Sequence, residues 1–300
     1  MGEQYFEAAL VAVGPEYRAV RSKILGLEVE EAAFLKDKLR HGAWVVRLQV
    51  EIFIGWRADP DRYAYIHQVA RGTEPALERW KYRSGRPPVE KSTEIIAGLG
   101  PGYLPAVLEV LYKEPDLLDD HTISVCTQAV LVWGDRRAIP VFQAILQNQM
   151  FPWPHRARAI EALLGLEADY RYEDLLGVFN DEKNPLELRY SALASLHTAD
   201  RNRAIPLFKE VLVDPKREIR LRQAAAWGLG GARDTAAIEL LMEQFAAITH
   251  WDLKFDIITA LGNMKDPKAA IALRQLQDLE LDRGLAELME RTLEDLEKIE

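Results

Sequence analysis

Apolar residues recur along this chain at helical spacing, in segments that turn-forming residues separate. The segments come in pairs, a short one rich in small residues and then an amphipathic one. The first segment ends in an apolar residue followed by glycine, and an aspartate comes soon afterwards. The second segment often opens with Ala-Ile-Pro, which suits a helix start because the first amides there have no intrahelical partner. The pattern predicts antiparallel helical hairpins and an all-α fold.

The apolar-glycine signature returns at a nearly constant distance. By subtraction, its positions are 34, 31, 32, 33 and 32 residues apart, with one histidine in place of glycine: Gly100, Gly134, Gly165, His197, Gly230 and Gly262. A period of roughly 30 to 34 residues corresponds to one helical hairpin per repeat. We expect each glycine to end the first helix of its hairpin, where a left-handed residue costs glycine least.

The pattern Arg-x-x-Ala-Ala-x-x-Leu-Gly-x-x-x-Asp-x-x-Ala-Ile resembles the HEAT repeat, in the subtype first named from phycobilisome bilin lyases. The best copies lie at residues 186–214, 217–241 and 252–277. The resemblance implies an α-solenoid, a right-handed superhelix of antiparallel helix pairs whose short helices line the concave surface. It also implies a ladder of basic and acidic side chains that joins neighbouring repeats, here Arg189, Arg222 and Lys254 with Asp200, Asp234 and Asp266. A phosphate-binding stripe is the alternative interpretation of the basic row.

We predict one solenoid domain over residues 1–300. Residues 1–57 are divergent N-terminal repeats with a cap, in which Ala8, Leu10 and Val11 are expected to be buried. Residues 58–88 form a repeat with an insertion, and residues 89–277 form regular repeats. Residues 278–300 hold nine acidic and three basic side chains around an apolar stripe, which predicts an acidic C-terminal capping helix. A terminal repeat needs such a polar outer face to avoid end-to-end stacking.

Charge and composition narrow the classes of function. The net charge of −9 argues against nucleic acid as the partner, because phosphate contact requires a basic excess. The single cysteine, Cys126, excludes an intramolecular disulfide and fits a reducing compartment. The chain shows neither a signal peptide nor an apolar run long enough for a membrane helix. We therefore predict a cytoplasmic protein with no membrane partner.

The exposed positions of the short helices carry the candidate binding residues. Tyr190, Trp227 and Phe255 fall at these positions in three consecutive repeats, and aromatic side chains are favoured at binding hot spots. With the flanking Gln128, Gln223 and Asp256, they form a predicted partner-binding track. The alternative is that Trp227 packs in the core, beside its small neighbours Ala224, Ala225 and Ala226.

A second candidate is the basic and aromatic insertion, whose central residues are Arg79, Trp80, Lys81, Tyr82 and Arg83. Positive charge interleaved with aromatic rings suits single-stranded nucleic acid. It also suits an acidic protein partner or a structural cover over a weakly apolar repeat. These three interpretations remain open at this point.

Signals for metals and catalysis are weak. None of the six histidines lies three or four residues from another histidine or from Cys126, so no local ligand pair is present. The chain has no His-Glu dipeptide, which excludes the pattern that resembles the HEAT-type di-iron hydroxylases. Cys126 has no basic neighbour within a helical turn and is expected to be buried. We predict no metal, no cofactor and no catalytic residue.

The sequence favours a non-enzymatic scaffold or adaptor that holds a peptide or helix of a partner protein on its concave face. Two enzyme hypotheses stay beside it. The subtype resemblance suggests a bilin lyase or isomerase subunit. The helical pairs also resemble the HEAT-like alkylpurine DNA glycosylases, for which Asp256 near Trp227 and Phe255 would be the acidic residue, although the net charge argues against binding of nucleic acid.

Overall fold

The computed structural model describes residues 1–80, 86–167, 172–276 and 281–298. Within these ranges every regular element is a helix, which confirms the all-α, HEAT-like fold. The chain divides into two compact units, Met1–Ala168 and Asp169–Glu300. The single-domain prediction concerns how the two units join, and it stays a prediction.

The first unit contains ten α-helices in its described part. They are α1 (Gly2–Val11), α2 (Gly14–Leu25), α3 (Phe34–Lys38), α4 (Trp44–Ala58), α5 (Pro60–Ala70), α6 (Val89–Leu99), α7 (Leu104–Lys113), α8 (Asp120–Trp133), α9 (Ile139–Gln147) and α10 (Trp153–Gly165). From α4 onward they follow as hairpins of a first and a second helix, which the period predicts from α6 onward. Asp59 and Asp119 begin α5 and α8, because their side chains accept hydrogen bonds from the first-turn amides of Arg62 and Thr122.

The buried face of α1 differs from the prediction. Phe6 and Ala9 are buried, whereas Ala8 and Leu10 are only partly covered and Val11 is 83% exposed. Residues 2, 6 and 9 lie on one side of the helix, so residue 11 projects from another side. The expectation that Ala8, Leu10 and Val11 are buried is therefore wrong, because it assigned another face of the helix to the core.

The second unit contains eight α-helices in its described part. They are α11 (Tyr172–Asn180), α12 (Leu186–Ala199), α13 (Arg201–Val213), α14 (Ile219–Gly231), α15 (Ile238–Ala247), α16 (Trp251–Met264), α17 (Pro267–Leu276) and α18 (Arg283–Glu297). The hairpins α12/α13, α14/α15 and α16/α17 match the three best copies of the sequence pattern. Helix α18 closes the row with Leu285, Met289 and Leu293 buried.

The periodic glycines allow first helices to approach one another. A Cβ atom on Gly230 of α14 would lie 2.6 Å from the Cα atom of Ala260 on α16. A Cβ atom on Gly262 would lie 2.5 Å from Cγ2 of Thr292 on α18. Gly100 and Gly134 do end their helices with positive φ, as expected, whereas Gly230 and Gly262 lie inside theirs. For these two residues, and for Gly165 at the end of α10, the predicted left-handed cap is wrong, and close packing is the physical reason for glycine.

Candidate partner-binding surface

The exposed side of the first helices α12, α14 and α16, here called the first-helix surface, carries one predicted aromatic residue on each helix. Trp227 of α14 is 41% exposed, while Tyr190 of α12 and Phe255 of α16 are half-buried. Ala224, Ala225 and Ala226 are fully buried, so the small residues face the core and the indole of Trp227 projects outward. The geometry thus differs from the alternative in which Trp227 packs in the core.

A polar cluster lies on the same surface. The guanidinium carbon of Arg220 lies 4.6 Å from the centroid of the Tyr190 ring, and its NH1 donates to Oε1 of Gln223 over 3.2 Å. Nε2 of Gln223 donates to Oδ2 of Asp256 over 2.6 Å. The cluster therefore links α12, α14 and α16. Trp227 follows Gln223 by one helical turn, so both side chains lie on the same face of α14.

Asp256 is the titratable group of this cluster. Burial raises the pKa of its carboxyl above the usual range, although the hydrogen bond from Gln223 and the charge of Arg220 act in the opposite direction. Gln223 is only 3% exposed and uses its amide within the protein. The prediction that Gln223 contacts a partner is corrected accordingly, because this side chain orients Asp256. Gln128 is exposed on α8 in the first unit, where it accepts a hydrogen bond from Thr93.

A groove lies beside this surface, between α16 and α18. It encloses about 590 Å³, and its lining includes Phe255, Leu288 and Leu296. Trp251, which is 42% exposed, stacks on Phe255 with ring centroids 5.3 Å apart. The groove and the first-helix surface therefore share Phe255.

The basic row binds backbone carbonyls. Nε of Arg189 donates to the carbonyl oxygen of Phe179, and Nε of Arg222 donates to that of Leu212, each over 2.9 Å. Both acceptors are the second-to-last residues of second helices, where carbonyls lack intrahelical partners. Each arginine therefore ties its first helix to the end of the preceding second helix. The Nζ atom of Lys254 lies 4.8 Å from the centroid of the Phe245 ring.

The acidic row has different partners. Asp200 and Asp266 accept hydrogen bonds from backbone amides at the start of the second helices, and Oδ2 of Asp234 lies 2.8 Å from Nζ of Lys209. In the described part of the chain, no hydrogen bond or ion pair joins these aspartates to Arg189, Arg222 or Lys254. The direct ladder pairing that the resemblance implies is corrected. The reason is that carbonyls at helix ends occupy the arginines and amides at helix starts occupy two of the acids.

Comparison with known proteins gives one family match and a weak structural likeness. The model of the family described as HEAT repeats matches residues 217–293. These residues are HEAT repeats. Among solved structures the chain is similar to human deoxyhypusine hydroxylase in complex with glycerol, with 17% identity and a TM-score of 0.35, over 82% of this chain and 99% of that one. A likeness of that size carries no argument about activity. No curated protein matches the chain.

The matched HEAT repeats include α14, α16 and most of α18. They therefore contain Trp227, Phe255, Asp256 and the lining of the groove except Asp295 and Leu296. Of the predicted contact residues in the second unit, only Tyr190 lies outside the match, one repeat earlier.

The structure describes the basic and aromatic insertion only in part. Lys81, Tyr82 and Arg83 lie outside the described residues. Arg79 and Trp80 belong to a short 3-10 helix, Pro75–Trp80, of which the structure describes the backbone at these two positions. The prediction of a binding loop there stays a prediction.

The first unit holds a buried polar cluster around Glu109 of α7 that the sequence analysis did not single out. Oε1 of Glu109 accepts from the Tyr17 hydroxyl and from NH1 of Arg21, each over 2.8 Å. Oε2 accepts from Nε1 of Trp56 over 2.6 Å and lies 3.1 Å from Nε2 of His67. A lone carboxylate inside the apolar run Leu108-Glu109-Val110-Leu111 was the available sequence signal.

Electrostatics hold Glu109 in its charged form. Burial by itself raises the pKa of this carboxyl, but hydrogen bonds and charge from His67 and Arg21 lower it to about 2. Burial lowers the pKa of His67, while the hydrogen bond and charge of Glu109 act in the opposite direction. Each carboxylate oxygen of Glu109 has two polar neighbours, so the cluster joins α2, α4, α5 and α7 as a structural unit.

Three further findings concern metal-ligating side chains, the single cysteine and membrane-spanning helices. No group of three or more metal-ligating side chains occurs in the described part of the chain. Cys126 is buried, as predicted, and burial raises its pKa to about 12. None of the described helices is by itself long and apolar enough to cross a membrane.

Proposed function

We propose that this protein is a non-enzymatic scaffold whose first-helix surface in the second unit binds a segment of a partner protein. The observation that carries the proposal is the exposed indole of Trp227, at the centre of a preformed surface with Tyr190 and Phe255 on the neighbouring first helices. Aromatic side chains with a rigid frame bury a large apolar area at a low entropic cost. The polar cluster of Arg220 and Asp256 supplies the orienting charges. The net charge of −9 supports a protein rather than a nucleic acid as the partner.

The test begins with selection of binders to the full chain from a library of short random peptides. Binding of the selected peptides is then compared among the full chain and its Trp227→Ala, Tyr190→Ala and Ile271→Ala variants. Loss of a hot-spot side chain should weaken binding by about thirtyfold or more, whereas Ile271, 54% exposed on α17, should tolerate the change. Thermal unfolding followed by circular dichroism should be unchanged for all three. Equal binding by Trp227→Ala and Ile271→Ala would contradict the proposal, and a lost thermal transition would show that Trp227 supports the core.

A second candidate follows from the resemblance of the repeat pattern to the phycobilisome-lyase-like subtype, namely handling of a bilin. The pattern at residues 217–241 is the observation that favours it. Mixing the full chain with a bilin and recording its absorbance spectrum tests this candidate. An unchanged spectrum would exclude it.

A further inference from the structure

The groove between α16 and α18 combines an apolar floor with a cationic rim. Phe255, Leu288 and Leu296 belong to its floor, and Lys265 and Arg291 stand at its edge. Both cations are exposed, and neither side chain forms a hydrogen bond or an ion pair within the ranges that the structure describes. Its volume of about 590 Å³ is within the range of ligand pockets.

The acidic side chain of the groove already has a partner. Oδ1 of Asp295 lies 2.9 Å from Nζ of Lys298. The hydrogen bond and charge of Lys298, and to a lesser degree the charge of Arg291, hold the pKa of Asp295 below its usual range. Lys298 thus offsets the one carboxylate among the lining residues, and the two rim cations remain available to an anionic ligand.

Lys265 is held in an unfavourable backbone conformation. It ends α16 with φ 50° and ψ 48°, in the left-handed region. A residue with a Cβ atom loses about 1–2 kcal/mol there, whereas glycine does not. Arg233 has the same conformation in the preceding repeat, with φ 51°, but it is not part of the groove lining. The two residues provide a matched pair, because both share the backbone strain and the charge and only one belongs to the groove.

We propose that this groove binds an acidic segment of the partner protein, with an apolar side chain on the floor and carboxylates paired with Lys265 and Arg291. The inference rests on the proposed function and names the chemistry of the partner. Charge complementarity supports it, since two cations without a side-chain ion pair border a cavity that combines apolar side chains with polar ones and shares Phe255 with the first-helix surface. Leaving either charge without a partner in a complex would be unfavourable, so a basic segment is disfavoured.

The experiment uses two pools of fluorescent synthetic peptides that differ only in charge. One pool is drawn from Asp, Glu, Leu, Phe and Gly, and the other replaces the acids with Asn and Gln. Binding to the full chain is measured by fluorescence anisotropy at low and high salt. The acidic pool should bind about tenfold tighter or more at low salt, and the difference should shrink as salt screens the charges.

The variants locate the effect. Lys265→Gly combined with Arg291→Gln should remove the preference for the acidic pool, while Arg233→Gly should preserve it. Lys265→Gly also relieves the backbone strain, so its thermal transition should not fall, and weaker binding cannot be explained by unfolding. Equal binding of the two pools, binding of neither pool, or an equal loss with Arg233→Gly would overturn the inference.

Trp227→Ala separates this inference from the proposed function. If Trp227→Ala abolishes binding of both pools and the full chain shows no preference for acids, binding at the first-helix surface is supported and the acidic preference of the groove is refuted. If the acidic preference survives Trp227→Ala and disappears with Lys265→Gly combined with Arg291→Gln, binding in the groove is supported and binding at the first-helix surface is refuted.

Discussion

Glu109 illustrates how one side chain can hold several helices together. Its carboxylate accepts hydrogen bonds from Tyr17, Arg21 and Trp56 and contacts His67. These donors come from α2, α4 and α5, so their positions depend on one buried charge. Removing one partner of a buried ionic network is costly because the remaining groups lose both water and their partner.

Glu109→Gln should therefore destabilise the protein. The amide NH2 would face donors that now point at a carboxylate oxygen, and Arg21 would keep only Glu114 as a counter-charge. We expect the free energy of unfolding to fall by about 3–5 kcal/mol, as measured by urea denaturation. Glu94→Gln provides the control, since Glu94 is exposed and such a change costs less than about 0.5 kcal/mol. Similar urea midpoints for Glu109→Gln and Glu94→Gln would contradict the stabilising role of Glu109.

The same carboxylate predicts a dependence of stability on pH. Its folded pKa is about 2, below the ordinary value of 4.5, so the folded state binds fewer protons than the unfolded state. Its stabilisation is present above pH 4.5 and is lost as pH falls towards 2, by about 3 kcal/mol in total. The lowered pKa of His67 acts in the same direction. The difference in free energy of unfolding between the wild type and Glu109→Gln should become smaller from pH 7 to pH 3. A constant difference would show that the charge of Glu109 is not the source of the pH dependence.

At the scale of helices, small residues set the distance between neighbouring repeats. Gly230 and Gly231 lie between two first helices, because a Cβ atom on Gly230 would meet Ala260 and one on Gly231 would lie 2.7 Å from Nε2 of His197. His197 holds the glycine position of its own repeat, and Gly231 makes room for the imidazole ring. The close packing of the first helices α12, α14 and α16 thus depends on these residues.

Gly230→Ala tests this packing directly. Alanine has a higher helix propensity, yet its methyl group would lie within 2.6 Å of the backbone of Ala260. Overpacking of this kind should destabilise the protein by about 1–3 kcal/mol, as measured by thermal and urea unfolding. Gly177→Ala is the matched control, because a Cβ atom there meets nothing within 4 Å, and it should stabilise α11 by about 0.5–1 kcal/mol. A stabilising effect at both positions would disprove the packing role.

At the scale of the whole molecule, the repeats require an end. Helix α18 covers the apolar side of the last hairpin with Leu285, Met289 and Leu293. Repeat arrays depend on such caps, because each repeat buries its apolar face only against a neighbour. The exposed carboxylates Glu287, Glu290 and Glu294 make the outer side of α18 polar.

Deletion of residues 278–300 should expose apolar surface and promote association. We expect a shift to larger species in size-exclusion chromatography and stronger binding of a dye that senses exposed apolar surface. Glu287→Gln with Glu294→Gln keeps the apolar stripe and removes exposed charge, so it separates the two contributions. If the deletion variant elutes as the full chain does, the role of α18 as a cap is wrong.

Sequence reasoning predicted the period and the regular hairpins from α6 onward, and it gave the outward position of Trp227 as one of two interpretations. It failed for the face of α1, where Val11 is exposed, and for the partners of Arg189 and Arg222. It also placed Gln223 on the binding surface, although that amide holds Asp256. These failures concern which atoms meet across elements, and local spacing contains little information about such contacts.

The amino-acid pattern alone determined the helical class, the repeat length and the boundaries of the regular hairpins, because apolar periodicity and turn residues act within a few residues of one another. Only the tertiary structure decided that periodic glycines serve close packing, that the basic row binds helix ends, and that Glu109 gathers four helices. It also revealed the groove between α16 and α18. The physical reason is that these features join residues of different helices, from 10 to 92 positions apart in the chain, and their meeting depends on the phase and spacing of helices after packing.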